Sequence, residues 1–285
     1  MMSSKSRILN AYNSALELAT KHYENFPVVS LLIPKDLRKH IAIIYWFART
    51  ADDLADEGNL SQKERLKNLQ DFETSLSKLL DGKFKSSFEE ALNQTINEKK
   101  LSPNLFYDLL KAFKQDVVKK RYASFEEVLE YCKYSANPIG RLILELFGIR
   151  IGEAFQYSDK ICTALQLTNF YQDVQIDYEK GRIYFSQNEM NQFNVKQNLF
   201  ALKENNVNLK KLLEYNISRT QMLFDEGKNI LKHLGGRLKF EIKWTILGGE
   251  MILKKIRKNN YEIFNARPGL TKRDFAVLFM RSILS

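Results

Sequence analysis

Two acidic clusters hold the residues best suited to chemistry in this chain. One is Asp52, Asp53, Asp56 and Glu57 in FARTADDLADEG; the other is Asp173 and Asp177 in NFYQDVQIDYEKGR. Each follows an apolar run at helical spacing, and each precedes a glycine, Gly58 or Gly181, where the helix is expected to stop. Carboxylates four apart share a helix face. They repel by roughly 0.2–0.5 kcal/mol per pair, and they sit at the end of the helix that already carries partial negative charge. A cation between them removes both penalties. Magnesium takes oxygen ligands, keeps waters, and binds through one or two carboxylates plus substrate phosphates. A diphosphate leaving group carried on magnesium is therefore the chemistry these residues suggest. Arg49 precedes Asp52 by three and Asp53 by four, so it can pair with an aspartate or reach a phosphate oxygen bidentately; Arg182 stands just past the second cluster. The competing reading is a solvated acidic helix end, which is the stronger one for either cluster alone. Recurrence behind two apolar helices favours metal. A calcium loop has less support, because the EF-hand spacing is absent.

Other chemistries have little footing. His22, His40 and His233, with Cys132 and Cys162, fall into no ligand spacing or disulfide framework. The cysteines fit a reducing compartment. A net charge of +10 suits an anionic partner or solubility alone, and no nucleic-acid motif accompanies it, so a nucleic-acid partner is not expected. The N-terminal stretch lacks the apolar core of a signal peptide. The apolar run at residues 41–48 is too short to span a bilayer. The expected location is cytoplasmic, at most peripheral on the inner face of the membrane.

The elements that must position these acids read as helices almost throughout. The first covers residues 3–23. Pro34 opens the second, which runs to the first acidic cluster. Residues 61–80 start with a capping box, Ser61 with Glu64. Residues 87–99 and 103–120 follow. Ser124 with Glu127 repeats the capping pattern, and Asn137–Pro138 should break that helix before residues 139–147. Residues 158–179 read as one helix bearing the second cluster. The Asn- and Gln-rich stretch 186–208 reads as an irregular connection with at most one short helical turn. Helices resume over 209–233, pause at Gly235–Gly236, continue to 258, and end with one from Thr271. The fold class is all-α: about a dozen helices in a single domain over residues 1–285.

At these residues the chain resembles the squalene/phytoene synthase family, all-α head-to-head prenyl transferases. The motifs carrying the likeness are the two DxxxD aspartate sets, the extended NFYQDVQIDYEKGRIYF, and the stretches HYENFPVVS, YCKYSANPIGRL and ALQLTNFYQDV. Together they look most like the branch of bacterial hopanoid pathways that turns presqualene diphosphate into hydroxysqualene. The resemblance implies an isoprenoid synthase-type bundle with a central active-site cavity. It implies that Asp52, Asp56, Asp173 and Asp177 hold magnesium, with manganese as a substitute, and that Asp53 and Asn169 support the metal. It implies diphosphate contacts from Tyr45, Arg49, Arg182, Tyr184 and Arg267, and a place near the reacting carbons for Tyr131. The stretch Ser135-Ala136-Asn137-Pro138 departs from the reductive enzymes. This fits capture of the carbocation by water, so NADPH is not expected.

Aromatic rings can stabilise a cation by roughly 0.5–2 kcal/mol. Phe26, Tyr45, Phe47, Tyr131, Tyr134 and Phe170 are candidates, each with ordinary helix core as its plainer reading. His22 in the HYENF stretch lines the site or is structural. Ser135, Ala136 and Gly140 either make tight helix contacts or leave room for a prenyl tail. The basic run Lys254, Lys255, Arg257 and Lys258 reads as a solvated face, or as an aid to docking on anionic lipid. Expected partners are a prenyl diphosphate, a membrane surface and other pathway enzymes. Alternatives are condensation of farnesyl or geranylgeranyl diphosphate to presqualene diphosphate, squalene or phytoene, and a non-catalytic assembly protein of the same fold. The motif aspartates are all present, which disfavours the assembly protein.

Overall fold

A computed structural model describes residues 4–21, 33–264 and 267–284, and every regular element among them is helical. The chain forms two compact units. One comprises residues 1–118 with 138–151, the other residues 119–137 with 152–285.

In the first unit, α1 (Ser4–Lys21) and α4 (Ser87–Lys99) pack on α2 (Lys35–Asp56), as do α3 (Gln62–Leu80) and α5 (Asn104–Val118). The apolar stripe of α2 faces these helices. Phe47 stacks on Phe72 at 5.0 Å and meets the edge of Phe106 at 5.2 Å. Pro34 is the N-cap of α2 rather than its first helical residue. The capping box of α3 is formed: the Glu64 carboxylate accepts from the Ser61 N–H at 2.8 Å, and Ser61 Oγ accepts from the Glu64 N–H.

In the second unit, α6 (Phe125–Ser135), α12 (Val207–Gly227) and α13 (Gly236–Lys258) surround α8 (Gly152–Gln172). Two glycines let helices approach closely. A Cβ on Gly249 would meet the Phe224 ring at 2.5 Å and Leu165 at 2.9 Å, and one on Gly227 would meet Ile161 at 2.5 Å. The expected break at Asn137–Pro138 is present: α6 ends at Ser135, and α7 (Asn137–Leu146) carries the proline in its first turn.

Several boundaries differ from the sequence reading. The helix expected over 158–179 starts earlier and is bent: α8 ends at Gln172, Asp173 stands between, and α9 is Val174–Glu179. Ser124 makes no side-chain cap: its hydroxyl bonds the Glu126 carboxylate, and the Glu127 carboxylate is drawn to the Ala123 N–H at 2.8 Å and to Lys119 at 2.9 Å. The stretch 186–208 holds two short helices, α10 (Gln187–Gln192) and α11 (Asn198–Leu202). Ser186 caps α10, and the apolar Met190, Leu199 and Phe200 are buried beneath the polar residues that dominate the composition. After α12 the chain tightens into a 3-10 turn, Lys228–Lys232. The last helix, α14, is Lys272–Leu284. The basic run of α13 is not a uniform solvated face: Lys255 pairs with Asp274 and donates to the Gly269 carbonyl. His22 and Phe26 lie outside the described residues.

Candidate functional site

The first acidic motif lies on the last turns of α2. Arg49 Nη2 is 2.6 Å from Asp53 Oδ1, and Nη1 is 3.2 Å from Asp52 Oδ2. These are the i,i+4 and i,i+3 pairs the spacing allows. Partial burial pulls the Arg49 pKa down, but Asp53, Asp52 and Tyr45 more than offset this and raise it, so the guanidinium is charged at any working pH. The negative end of α2 is offset from another helix. Arg65 of α3 donates to the carbonyls of Ala55 at 2.8 Å, Glu57 at 3.0 Å and Gly58 at 2.7 Å. A cation capping a helix carboxyl end is favourable by roughly 0.3–1 kcal/mol. The helix stops at Asp56, with Glu57 extended and Gly58 at φ +73°.

The second motif sits across the α8–α9 bend. The Asp173 N–H donates to the Asn169 carbonyl, and the Asp177 N–H to the Asp173 carbonyl, both at 2.8 Å. The four-residue hydrogen bonding thus flanks Asp173 on both sides and is interrupted at the bend itself. The stop at Gly181 is a Schellman motif: Arg182 N–H bonds Asp177 O at 2.7 Å, and Gly181 N–H bonds Tyr178 O at 2.8 Å, with Gly181 at φ +77°. Arg267, 94 positions onward, grips Asp173 with two nitrogens, Nε on Oδ1 and Nη2 on Oδ2. Gln172 Nε2 also donates to the Pro268 carbonyl, which ties the residues after 266 to the end of α8.

Beside this motif lies a cluster of rings. Phe170 and Tyr184 stack at 3.6 Å, Tyr131 stands 6.0 Å from Phe170 and 5.8 Å from Tyr184, and Tyr122 is 5.7 Å from Tyr184. A recess is lined by Phe170, Val174, Asp177, Arg182, Tyr184 and Phe200. The stretch carrying Arg182 and Tyr184 is fastened to residues 120–123. Ile183, Gln187 and Asn188 N–H donate to the carbonyls of Lys120, Tyr122 and Ala123, and the Arg121 guanidinium donates to the Gly181 carbonyl.

The structure thus joins Tyr45, Arg49, Asp52 and Asp53 in the first unit. In the second it joins Asp173 with Arg267, Asp177 and Arg182 with the recess, and Tyr131 and Phe170 with Tyr184. Phe47 is core, as its plainer reading had it. The Tyr134 ring carries the Lys133 ammonium 5.2 Å from its centre. Sequence reasoning missed Tyr122, Arg121 and Arg65. Tyr122 and Arg121 act through contacts 60 or more positions away and lie in an irregular segment with no periodicity to flag them, and Arg65 reaches back across the turn between α2 and α3.

Among the described residues, no three carboxylate, histidine or cysteine groups converge into a metal cage. The donor chemistry nonetheless suits magnesium in one mode: hard carboxylate oxygens few enough to need phosphate oxygens and water to complete the shell.

Comparison with known proteins bears on that chemistry. The squalene/phytoene synthase family profile matches residues 19–274. Hydroxysqualene synthase of Rhodopseudomonas palustris is 35% identical over 211 residues, covering 73% of this chain and 70% of that protein. Hydroxysqualene synthase of Zymomonas mobilis is 38% identical over 181 residues, covering 61% of this chain and 59% of that protein. The crystal structure of squalene synthase HpnC from Alicyclobacillus acidocaldarius superposes with a TM-score of 0.85 at 35% identity, covering 90% of this chain and 97% of that one.

Proposed function

The chain belongs to the squalene/phytoene synthase family, and on that premise we propose that it converts presqualene diphosphate to hydroxysqualene. The observation that carries this reading is the ring cluster of Tyr131, Phe170 and Tyr184 beside a recess bounded by Asp177 and Arg182. Aromatic side chains packed beside an acidic and a basic one suit the junction between a greasy substrate body and its diphosphate head. The family match runs through both compact units, which supports reading residues 1–285 as one functional domain.

In this reading Asp52, Asp53 and Asp56, and separately Asn169, Asp173 and Asp177, hold magnesium or manganese. The bound metal supplies Lewis-acid stabilisation of the departing diphosphate. Arg49, Arg182 and Arg267 bind phosphate oxygens through paired N–H groups, with Tyr45 and Tyr184 beside them. The carbon–oxygen bond to diphosphate breaks and the leaving group takes the electron pair. The rings of Tyr131, Phe170 and Tyr184 face the resulting cation and exclude stray water. The cyclopropane opens, the oxygen of one water bonds to carbon, and its proton passes to diphosphate or solvent. No hydride is consumed, so NADPH is not part of the scheme. Peripheral contact with the inner face of the membrane, where substrate and product partition, and hand-over from other pathway enzymes complete the reading.

The test offers farnesyl, geranylgeranyl and presqualene diphosphates in turn, each with magnesium, with and without NADPH, and identifies products by mass. Hydroxysqualene from presqualene diphosphate alone, independent of NADPH, is the expected result. Phytoene or presqualene diphosphate as sole product would overturn it.

A further inference from the structure

The densest run of exposed large apolar side chains among the described residues is on α14. Phe275, Val277, Phe279 and Met280 are 44% to 56% exposed within six residues. No other six-residue stretch of the described residues exposes more than two large apolar side chains. Exposure of this kind marks a contact surface rather than chance. The helix is nonetheless well anchored. Leu278 is buried, Phe279 packs on Phe240 at 6.0 Å, Phe275 meets the edge of Trp244 at 6.3 Å, and Lys243 donates to the Ser282 carbonyl at 2.9 Å. Leu278, Ser282 and one edge of each phenylalanine hold α14 on α13, while Val277, Met280 and the open edges of the two rings face out.

The surrounding charge selects the occupant. Lys272 and Arg273 open the helix and Arg281 closes it, all exposed, and Arg237 and Lys239 are exposed at the neighbouring start of α13. The acid of α14, Asp274, is tied to Lys255 and to the Thr271 N–H and hydroxyl. The face is thus apolar in the middle and cationic around it. Two copies pressed together on a twofold axis would set the same cations against each other. Anionic phospholipid meets both features: Val277, Met280 and the open edges of the phenylalanines enter the acyl boundary, and the long basic side chains reach the headgroups.

We propose that α14 is a membrane-docking helix lying in the headgroup boundary of an anionic bilayer. The inference rests on the membrane part of the proposed function and names the element that performs it. The basic run of α13 does not serve, since Lys255 is spent inside the fold.

The test is flotation of the full chain with vesicles of phosphatidylcholine alone or mixed with phosphatidylglycerol, at low and high salt. Binding to the anionic vesicles is expected, and Val277→Glu or Met280→Glu should lower the partition coefficient tenfold or more. Lys272→Gln and Arg273→Gln should each lower it about fivefold, on anionic vesicles only. Met222→Glu, equally exposed on α12, should bind as the parent does, and circular dichroism checks that each variant is folded. Absence of parent binding, or unchanged binding by Met280→Glu, overturns the proposal. So does a parent dimer in sedimentation that Met280→Glu dissociates, which would assign the face to a second copy. Turnover of presqualene diphosphate in detergent is measured on the same preparations. Turnover without vesicle binding sinks the docking helix alone, and vesicle binding without turnover sinks the synthase reading alone.

Discussion

The first acidic motif is neutralised by its own helix, and the second by a residue from far along the chain. Arg49 reaches Asp52 and Asp53 over one turn of α2, and all three remain partly open to solvent. Asp173, only 21% exposed, is gripped by Arg267 across 94 positions, on a helix that bends at that aspartate. The same DxxxD spacing is thus supported by local geometry in one case and by tertiary contact in the other. A locally held motif retains its form when distant parts move. A distantly held one depends on the segment after residue 266 staying docked.

The sharpest way to break this comparison is to remove an acid from each motif. Asp52→Asn and Asp173→Asn should each abolish turnover while far-UV circular dichroism stays unchanged. Full activity in either variant would exclude that motif from the chemistry. Chelation should silence the parent, and magnesium should restore it.

The next effect separates the two arginines. Arg267→Ala should lower kcat/KM by roughly 10- to 100-fold, the loss of a bidentate charge-assisted contact of about 1.5–3 kcal/mol. It should also raise protease sensitivity near residue 267. Arg49→Ala should lower kcat/KM without changing proteolysis. Identical proteolysis in both would erase the distinction between local and distant support.

Acid should weaken the first unit selectively. His40 on α2 is fully buried, with Nδ1 2.9 Å from Thr95 Oγ1 and Nε2 3.4 Å from Glu98. Burial lowers its pKa to about 4 despite the pull of Glu98. The folded state therefore binds this proton less readily than the unfolded chain. The stability it confers is complete above about pH 6.5 and is lost as pH falls toward 4, by up to about 3 kcal/mol. Urea titrations at pH 7 and pH 4.5 measure this, and His40→Gln should flatten the slope.

Smaller still are two packing and capping effects. Gly249→Ala drives a methyl into Phe224 and should cost about 1–3 kcal/mol in the second unit. Arg65→Ala uncaps α2 and should cost about 1 kcal/mol in the first. Denaturant midpoints measure both. An unchanged midpoint for Arg65→Ala would mean that the first motif tolerates its helix end unaided.

How far the sequence could be read depended on distance along the chain. The capping box of α3, the break at Asn137–Pro138 and the glycine stop at Gly181 involve residues within five positions, and each formed. The box at Ser124 failed because Glu126 takes the Ser124 hydroxyl while Lys119 and the Ala123 N–H compete for Glu127. The stretch 186–208 looked irregular because its Asn and Gln residues mask the few apolar side chains that anchor α10 and α11. The uninterrupted helix expected over 158–179 missed the bend, since nothing in local periodicity distinguishes Asp173 from its neighbours.

By itself the sequence determined the all-α class, the carboxylate spacing and the family. These follow from backbone periodicity and short-range hydrogen bonding, which act over a few residues. Only the tertiary structure decided that Arg267 holds Asp173, that residues 120–123 fasten the stretch bearing Arg182 and Tyr184, and that Arg65 caps the first motif's helix. Those contacts join residues from 7 to 94 positions apart. Packing selects such pairs, and no repeat along the chain announces them.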